Sequence, residues 1–260
     1  MIILNDKDLL DFLIAESEHP FSGWDFSYIG DRVVNSPLSW SYTSIILPLI
    51  RKADHLLDMG TGGGEFLASL IPLPKFTSVT ENYKPNVPIA RSNLEPLGVK
   101  IFHCPDEKKL PFGNEEFDLI INRHEDYYPK EVQRILKTNG LFITQQVGDQ
   151  NDAKLRFILT GEKATEIDTK WNLEYASNEL RENGFEIVDG KEGLTLTRIF
   201  DVGAIVYYLK AVPWELQGFS IDQYYAKLIE LHHQISKNTF LDLPRNNHRF
   251  VIISKKILNS

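Results

Sequence analysis

The chain has 260 residues, long enough to bury a core without staples, and 25% charged and 42% hydrophobic residues, an ordinary balance that excludes disorder. Its net charge of −8 weighs against tight binding of free nucleic acid, and its single cysteine, Cys104, excludes an internal disulfide and a multi-cysteine zinc site while fitting a reducing compartment. The N-terminus lacks the basic and apolar regions of a signal peptide and no apolar run approaches the ~20 residues of a membrane helix, so a soluble, cytoplasmic protein is expected, with no membrane partner.

Residues 6–17 read as a helix with Asp6 as its N-cap and Leu9, Leu10, Leu13 and Ile14 on one face. In the stretch Phe21–Tyr28, Trp24, Phe26 and Tyr28 alternate, the pattern of a packed strand or extended arm. A second helix is expected over 39–52, disturbed by Pro48. These first 53 residues contain no βαβ pattern and read as a helical cap on a later sheet.

The next stretch, His55-Leu-Leu-Asp-Met-Gly-Thr-Gly-Gly-Gly-Glu65, predicts a strand, a tight turn and a helix over 64–71. Glycines permit positive φ and close approach of a ligand to the backbone. The helix start would add free N–H groups and partial positive charge. A dinucleotide site wants a third glycine where Glu65 stands, and the acids Glu65 and Asp58 oppose a pyrophosphate. An anionic turn suits a ligand that carries a sulfonium and an ammonium. Asp58-Met-Gly-Thr-Gly-Gly-Gly64 resembles the first motif of class I S-adenosylmethionine-dependent methyltransferases. That resemblance implies cofactor contacts from Asp58, Gly60, Thr61, Gly62 and Gly64.

A strand over 76–81 ends in Glu81, placed about 20 residues past the glycines, where a carboxylate can receive both hydroxyls of a ribose. A helix over 86–97 has Pro88 in its first turn and an early end at Pro96. A third strand follows over 99–102. Asp106-Glu-Lys-Lys-Leu-Pro-Phe112 resembles a second signature of the same family, whose acid accepts from the adenine amino group; that implies the role for Asp106. Phe117-Asp-Leu-Ile-Ile121 is a nearly continuous apolar strand, as in parallel sheets covered on both faces. The family resemblance spans about residues 54–147, within the broad type 11 group.

Asn122-Arg-His-Glu-Asp126 follows that strand at its carboxyl end, where ligands of α/β sheets bind. Asn122 is a cofactor candidate, and His124 and Glu125 are candidate catalytic residues, as a general base or as partners of a substrate amine. The Asn/Asp-Pro-Pro-Tyr/Phe sequence of methyltransferases acting on amino groups of nucleic-acid bases is absent. Next come a helix from Pro129 ended by Asn139-Gly140, a strand over 141–147, a helix over 172–183 stopped by Gly184, and a strand over 185–188. Asp201 and Ser220 are read as caps of helices through Val212 and Lys237. The adjacent His232 and His233 point apart and make a poor metal pair. Tyr207, Tyr208 and Trp214 are candidates for a substrate wall, and a last strand over 249–254 would be antiparallel.

The fold expected is a Rossmann-like α/β fold with a seven-stranded, mostly parallel sheet and helices on both faces. One domain is anticipated: an N-terminal cap at 1–53, a cofactor core at 54–190, an insertion at 191–245 and a final strand at 246–260. The function expected is methyl transfer from S-adenosylmethionine to a small-molecule acceptor, without a metal. An RNA acceptor, an NAD(P)-dependent oxidoreductase and a cofactor-binding regulator stand as alternatives. Oligomeric state and acceptor atom are left open.

Overall fold

The computed structural model describes residues 6–162 and 170–258. The cap expected at Asp6 rests on a side chain outside those described. The chain packs into two compact units. The motif unit comprises Ser39–Asp149, Thr169–Gly193 and Arg249–Ser260; the second comprises Met1–Leu38, Gln150–Asp168 and Leu194–His248.

Among the described residues there are eight strands: β1 (Val33–Asn35), β2 (His55–Met59), β3 (Phe76–Glu81), β4 (Lys100–His103), β5 (Phe117–Arg123), β6 (Leu136–Val147), β7 (Phe185–Ile199) and β8 (Leu241–Lys256). Their hydrogen-bonded order is β1-β7-β8-β6-β5-β2-β3-β4. From β4 through β3, β2 and β5 to β6 every pairing is parallel, and β8 runs antiparallel to β6. The strand beyond the expected seven is β1, three residues paired antiparallel to the end of β7. It lies in the segment read as a helical cap.

The helices of the motif unit are α2 (Tyr42–Ile50), α3 (Glu65–Ala68), α4 (Val87–Leu94), α5 (Pro129–Ile135) and α7 (Leu173–Glu182). Those of the second unit are α1 (Asp6–Glu18), α6 (Ala153–Thr160), α8 (Val202–Ala211) and α9 (Ile221–Asn238). Strand alternation divides the core of the motif unit into two faces. Leu57, Ile120, Phe142 and Phe250 pack with Val132 of α5 and Leu180 of α7. Their neighbours Leu56, Leu119, Ile143 and Val251 pack with Ile46 of α2, Leu67 of α3 and Leu94 of α4. Both faces are thus buried, which is why the central strands read as unbroken apolar runs. In the second unit, α1, α8 and α9 close on a core that includes Leu9, Leu13, Val206 and Leu228.

Local signals set most helix boundaries. The helix expected over 39–52 is α2, capped by Ser41, which accepts from the Ser44 N–H at 3.2 Å, and it carries Pro48 near its end. Asn172, Asp201 and Ser220 cap α7, α8 and α9 in the same way. Several expectations need correction. The helix expected over 64–71 is a single turn, because Pro72 and Pro74 follow closely and deny further helical N–H donors. Asn139-Gly140 does not end a helix: α5 stops at Ile135, β6 starts at Leu136, and Asn139 takes φ +65 within that strand, where the pairing to β5 shifts register. The aromatic stretch before Tyr28 is a turn leading to a short 3₁₀ helix at Ser27–Ile29, not a strand. The last strand starts at Leu241, well before the expected boundary, and α6 had no sequence counterpart.

Ile120 is fully buried at the centre of β5. Ile120→Ala removes its contacts with one core face and leaves a cavity, so urea unfolding should show a loss of about 2–5 kcal/mol without change of fold.

Candidate functional site

The turn that follows β2 is shaped by glycine. Gly60, Gly62 and Gly64 hold φ of +69°, +63° and +83°, a region costly for other residues. A Cβ at Gly60 would collide with the Glu125 side chain, and one at Gly63 with the Glu65 carboxylate. The turn is therefore flanked by acids on two sides. Because α3 has only four residues, the expected dipole of a long helix is missing, and the backbone N–H groups of the turn itself supply the local donors.

A third acid enters from the neighbouring strand. Thr61 N–H donates to the Thr80 carbonyl at 3.0 Å, prolonging the β2·β3 ladder past the strand end. Glu81, 3% exposed at the tip of β3, then accepts from Gly62 N–H through Oε2 at 2.7 Å and from Tyr83 N–H through Oε1 at 2.8 Å. Burial raises its pKa, and those two donors oppose the rise. Asp58, buried at the end of β2, is pushed up to about 7 by desolvation, against the Thr61 hydroxyl and the Arg123 charge.

Asn82 joins two further acids: its Nδ2 donates to Glu125 Oε1 at 2.6 Å and to Glu107 Oε1 at 3.2 Å. Glu125 is pushed up to about 8 by burial first, then by the charges of Glu81, Glu107 and Asp126. Sequence reasoning missed Asn82 and Glu107, although each adjoins a residue that it singled out. Asp106 is exposed, and its Oδ1 accepts from Lys108 N–H at 2.9 Å, which shapes its own loop. That loop is pinned from α5. Glu131 accepts from Leu110 N–H at 2.7 Å, and Arg134, paired with Glu131 at 2.6 Å, donates to the carbonyls of Phe112 at 2.8 Å and Leu110 at 3.2 Å.

The end of β5 points its residues into different partners. Asn122 is fully buried; its Oδ1 accepts from Gln146 Nε2 at 2.7 Å and Thr144 Oγ1 at 2.9 Å, and its carbonyl from the Tyr42 hydroxyl at 3.0 Å. Its Nδ2 has no hydrogen-bond partner among the described residues, a buried donor left over. Arg123 lays its guanidinium over the Phe66 ring at 4.2 Å. His124 takes φ +66, its N–H donates to the Gln145 carbonyl at 2.8 Å, and the residue is reached by solvent although protein surrounds its imidazole. Desolvation first, then Arg249 and Arg123, lower its pKa to about 3, so the imidazole is neutral at pH 7.

The structure thus brings Asp58, the glycines, Glu81 and Glu125 into one acidic group, places His124 beside Gln145, and leaves Asp106 on a neighbouring loop. The aromatic candidates fall in the second unit. Tyr207 is buried against Tyr28, Tyr208 donates to Asp152 Oδ2 at 2.6 Å, and Trp214, 58% exposed, meets Trp24 at 5.7 Å. Among the described residues no group of three His, Cys, Asp or Glu side chains is placed to hold a metal, and no helix is long and apolar enough to cross a membrane.

Residues 57–144 match the family model described as a methyltransferase domain. A demethylmenaquinone methyltransferase from Roseiflexus sp. is 33% identical over 84 residues, 31% of this chain; the match spans about a third of that relative, 34% of its length. Two solved structures share the fold. A candidate methyltransferase from Bacillus halodurans superimposes with a TM-score of 0.58 at 14% identity, covering 84% of this chain and 100% of its own. A functionally unknown protein from Deinococcus radiodurans gives 0.55 at 14%, covering 96% and 99%.

Two outcomes follow from this geometry. Arg134→Ala should free the loop carrying Asp106, read as faster amide exchange at Leu110, while exchange in β5 stays slow. Glu125 has a folded pKa near 8 against an ordinary 4.5, so the native state holds its proton more tightly. The resulting stability is present below about pH 4.5 and is lost as pH rises through 8. Glu125→Gln should therefore gain on the wild type between pH 5 and pH 9 in urea unfolding; parallel profiles would show that the carboxyl is not held protonated.

Proposed function

We propose, with the methyltransferase domain at residues 57–144 as premise, that this chain transfers a methyl group from S-adenosylmethionine to a small organic acceptor in the cytoplasm. One observation carries the choice of cofactor: acidic side chains stand on three sides of the glycine turn, Glu125 over Gly60, Glu65 over Gly63 and Glu81 on the Gly62 N–H. A pyrophosphate would add negative charge beside acids already held partly protonated, whereas a sulfonium or an ammonium is attracted to Glu81 and Glu65 and draws off the proton that Glu125 holds. The same feature disfavours a dinucleotide and with it hydride transfer.

The residues present fit such a ligand. Gly60, Thr61, Gly62 and Gly64 would lie along it; at Gly60 and Gly64 the absence of a Cβ makes room for the Glu125 and Leu94 side chains, which set the turn's shape. Glu81 has lone pairs left on both oxygens for vicinal hydroxyls, Asp106 is exposed for an exocyclic amine, Asp58 adds negative charge, and the spare Nδ2 of Asn122 can donate to a ligand oxygen. The cofactor supplies, when bound, a methyl already activated by positively charged sulfur. The chain's own task is to align the acceptor and exclude water. Glu125 is the proton acceptor we favour: a cation beside it lowers its pKa and leaves a carboxylate able to receive the proton that the acceptor loses. His124, with a pKa near 3, is too weak a base for that task.

A small acceptor is supported by the net charge of −8, which weighs against tight binding of RNA. The lone Cys104, buried in the motif unit, agrees with a reducing compartment.

Calorimetric titration tests the reading. S-adenosylhomocysteine should bind, NADH should not, and Glu81→Ala should weaken binding about tenfold or more, from the ~1.5–3 kcal/mol of hydrogen bonds to a charged group. Binding of NADH alone would overturn the proposal. S-adenosylmethionine, one positive charge richer, should also release more protons on binding than S-adenosylhomocysteine, measured in buffers of different ionisation enthalpy. Glu125→Gln should reduce the difference, leaving the share that comes from Asp58.

A further inference from the structure

The strip Trp40, Gln145 and His124 can be solved for its protons by donor and acceptor rules alone. The indole Nε1–H of Trp40 is only a donor, and it lies 2.9 Å from Gln145 Oε1. That fixes the amide: oxygen toward the indole, NH₂ toward His124. Gln145 Nε2 lies 3.3 Å from His124 Nε2. An amide nitrogen has no lone pair to offer, so the bond between them exists only if Gln145 donates to a bare imidazole Nε2. A neutral imidazole with a bare Nε2 carries its proton on Nδ1.

We infer that Trp40 and Gln145 hold His124 as the Nδ1–H tautomer, so that the ring offers a hydrogen-bond donor, and that the methyl acceptor carries an oxygen, carbonyl or anionic, to receive it. The tautomer stands by itself; the clause on the acceptor rests on the methyl-transfer reading.

Three observations support the donor role. The residue is reached by solvent, and its Nδ1 has no hydrogen-bond partner among the described residues. The main chain that carries the ring is fixed by φ +66 and by the bond from His124 N–H to the Gln145 carbonyl, and the ring itself is held at Nε2 by the Gln145 amide. The charges that act on the imidazole are those of Arg249 and Arg123, so an oxygen with negative charge is favoured there, in contrast to the acids around the glycine turn. Trp40 and Gln145 are positioning residues: they act through the imidazole.

The test is two-bond ¹H–¹⁵N correlation of histidine side chains in the full chain, with His124→Asn to assign the signal. Wild type should show the Nδ1–H pattern, unchanged between pH 8 and pH 5. Gln145→Glu replaces the donor by an acceptor of the same shape and should move the proton to Nε2; Trp40→Phe, which frees the amide to turn, should mix the two patterns. An Nε2–H or imidazolium pattern in wild type, or a Gln145→Glu spectrum identical to it, overturns the tautomer. Benzoate added at high concentration to the complex with S-adenosylhomocysteine should shift the Nδ1 signal, and benzylamine should not. An unmoved signal, or one moved by benzylamine instead, overturns the donor role while leaving the tautomer in place. Failure of S-adenosylhomocysteine to bind at all would instead sink the methyl-transfer reading.

Discussion

The bond from Gly62 N–H to the Glu81 carboxylate ties two consecutive parallel strands together beyond their ends. The ladder between β2 and β3 pairs Met59 with Thr80, and Thr61 N–H adds one more rung on the Thr80 carbonyl. The next free donor of the turn then meets the next side chain of the neighbouring strand. Placing an acid there sets the turn's conformation and its charge at once. With the donor of Gly62 consumed by a carboxylate, the turn is no cradle for phosphate, although its glycine spacing resembles one. The bond is charge-assisted and short, and it depends on Gly62 at positive φ to present its N–H sideways.

From that point the charge of the site divides. Glu81 crowds Glu125, which leans over Gly60 and shares Asn82 with Glu107. Two residues earlier, Arg123 carries positive charge above Phe66, and between them His124 is neutral. Three successive residues at the end of β5 therefore serve an acidic neighbourhood, a neutral donor and a cation. Positive φ at His124 makes this feasible, because it breaks the strict alternation that an extended strand would impose. The strain at that residue is offset by bonds on either side, from His124 N–H to Gln145 and from Gln146 Nε2 to the Glu125 carbonyl.

Much of this was legible in the sequence where a signal is local. The caps at Asp201 and Ser220, the stop at Gly184, the early end of α4 before Pro96 and the apolar run of β5 each report their own few residues. So did Glu81, because the spacing between a turn and the tip of the next strand is fixed by one helix and one strand. Positions whose role comes from a distant partner were silent. Trp40 and Gln145 are 105 residues apart in sequence, and neither stands in a recognisable pattern. Asn139-Gly140 carries the letters of a helix stop but spends its left-handed residue inside β6, since the conformational freedom is the same in both settings. The great length of β7 and β8 was hidden for a related reason: Asp, Gly, Lys and Asn residues within them read as turns, although long-range pairing holds them extended.

Like charges brought together in a half-buried place raise the free energy of the folded state, and here the protein answers with protons and amides. Asp58 and Glu125 titrate near 7 and 8, while Asn82 gives one hydrogen each to Glu125 and Glu107. Neither answer removes the crowding; each only lowers its cost. A residue set chosen for stability alone would replace one of these acids by an amide or an apolar side chain of similar volume, as is generally tolerated where no ligand is involved. Keeping them makes the surroundings of the glycine turn most stable when a cation is present, and local violations of this kind concentrate at functional sites. On the methyl-transfer reading proposed above, the acidic crowding serves a positively charged ligand rather than the fold.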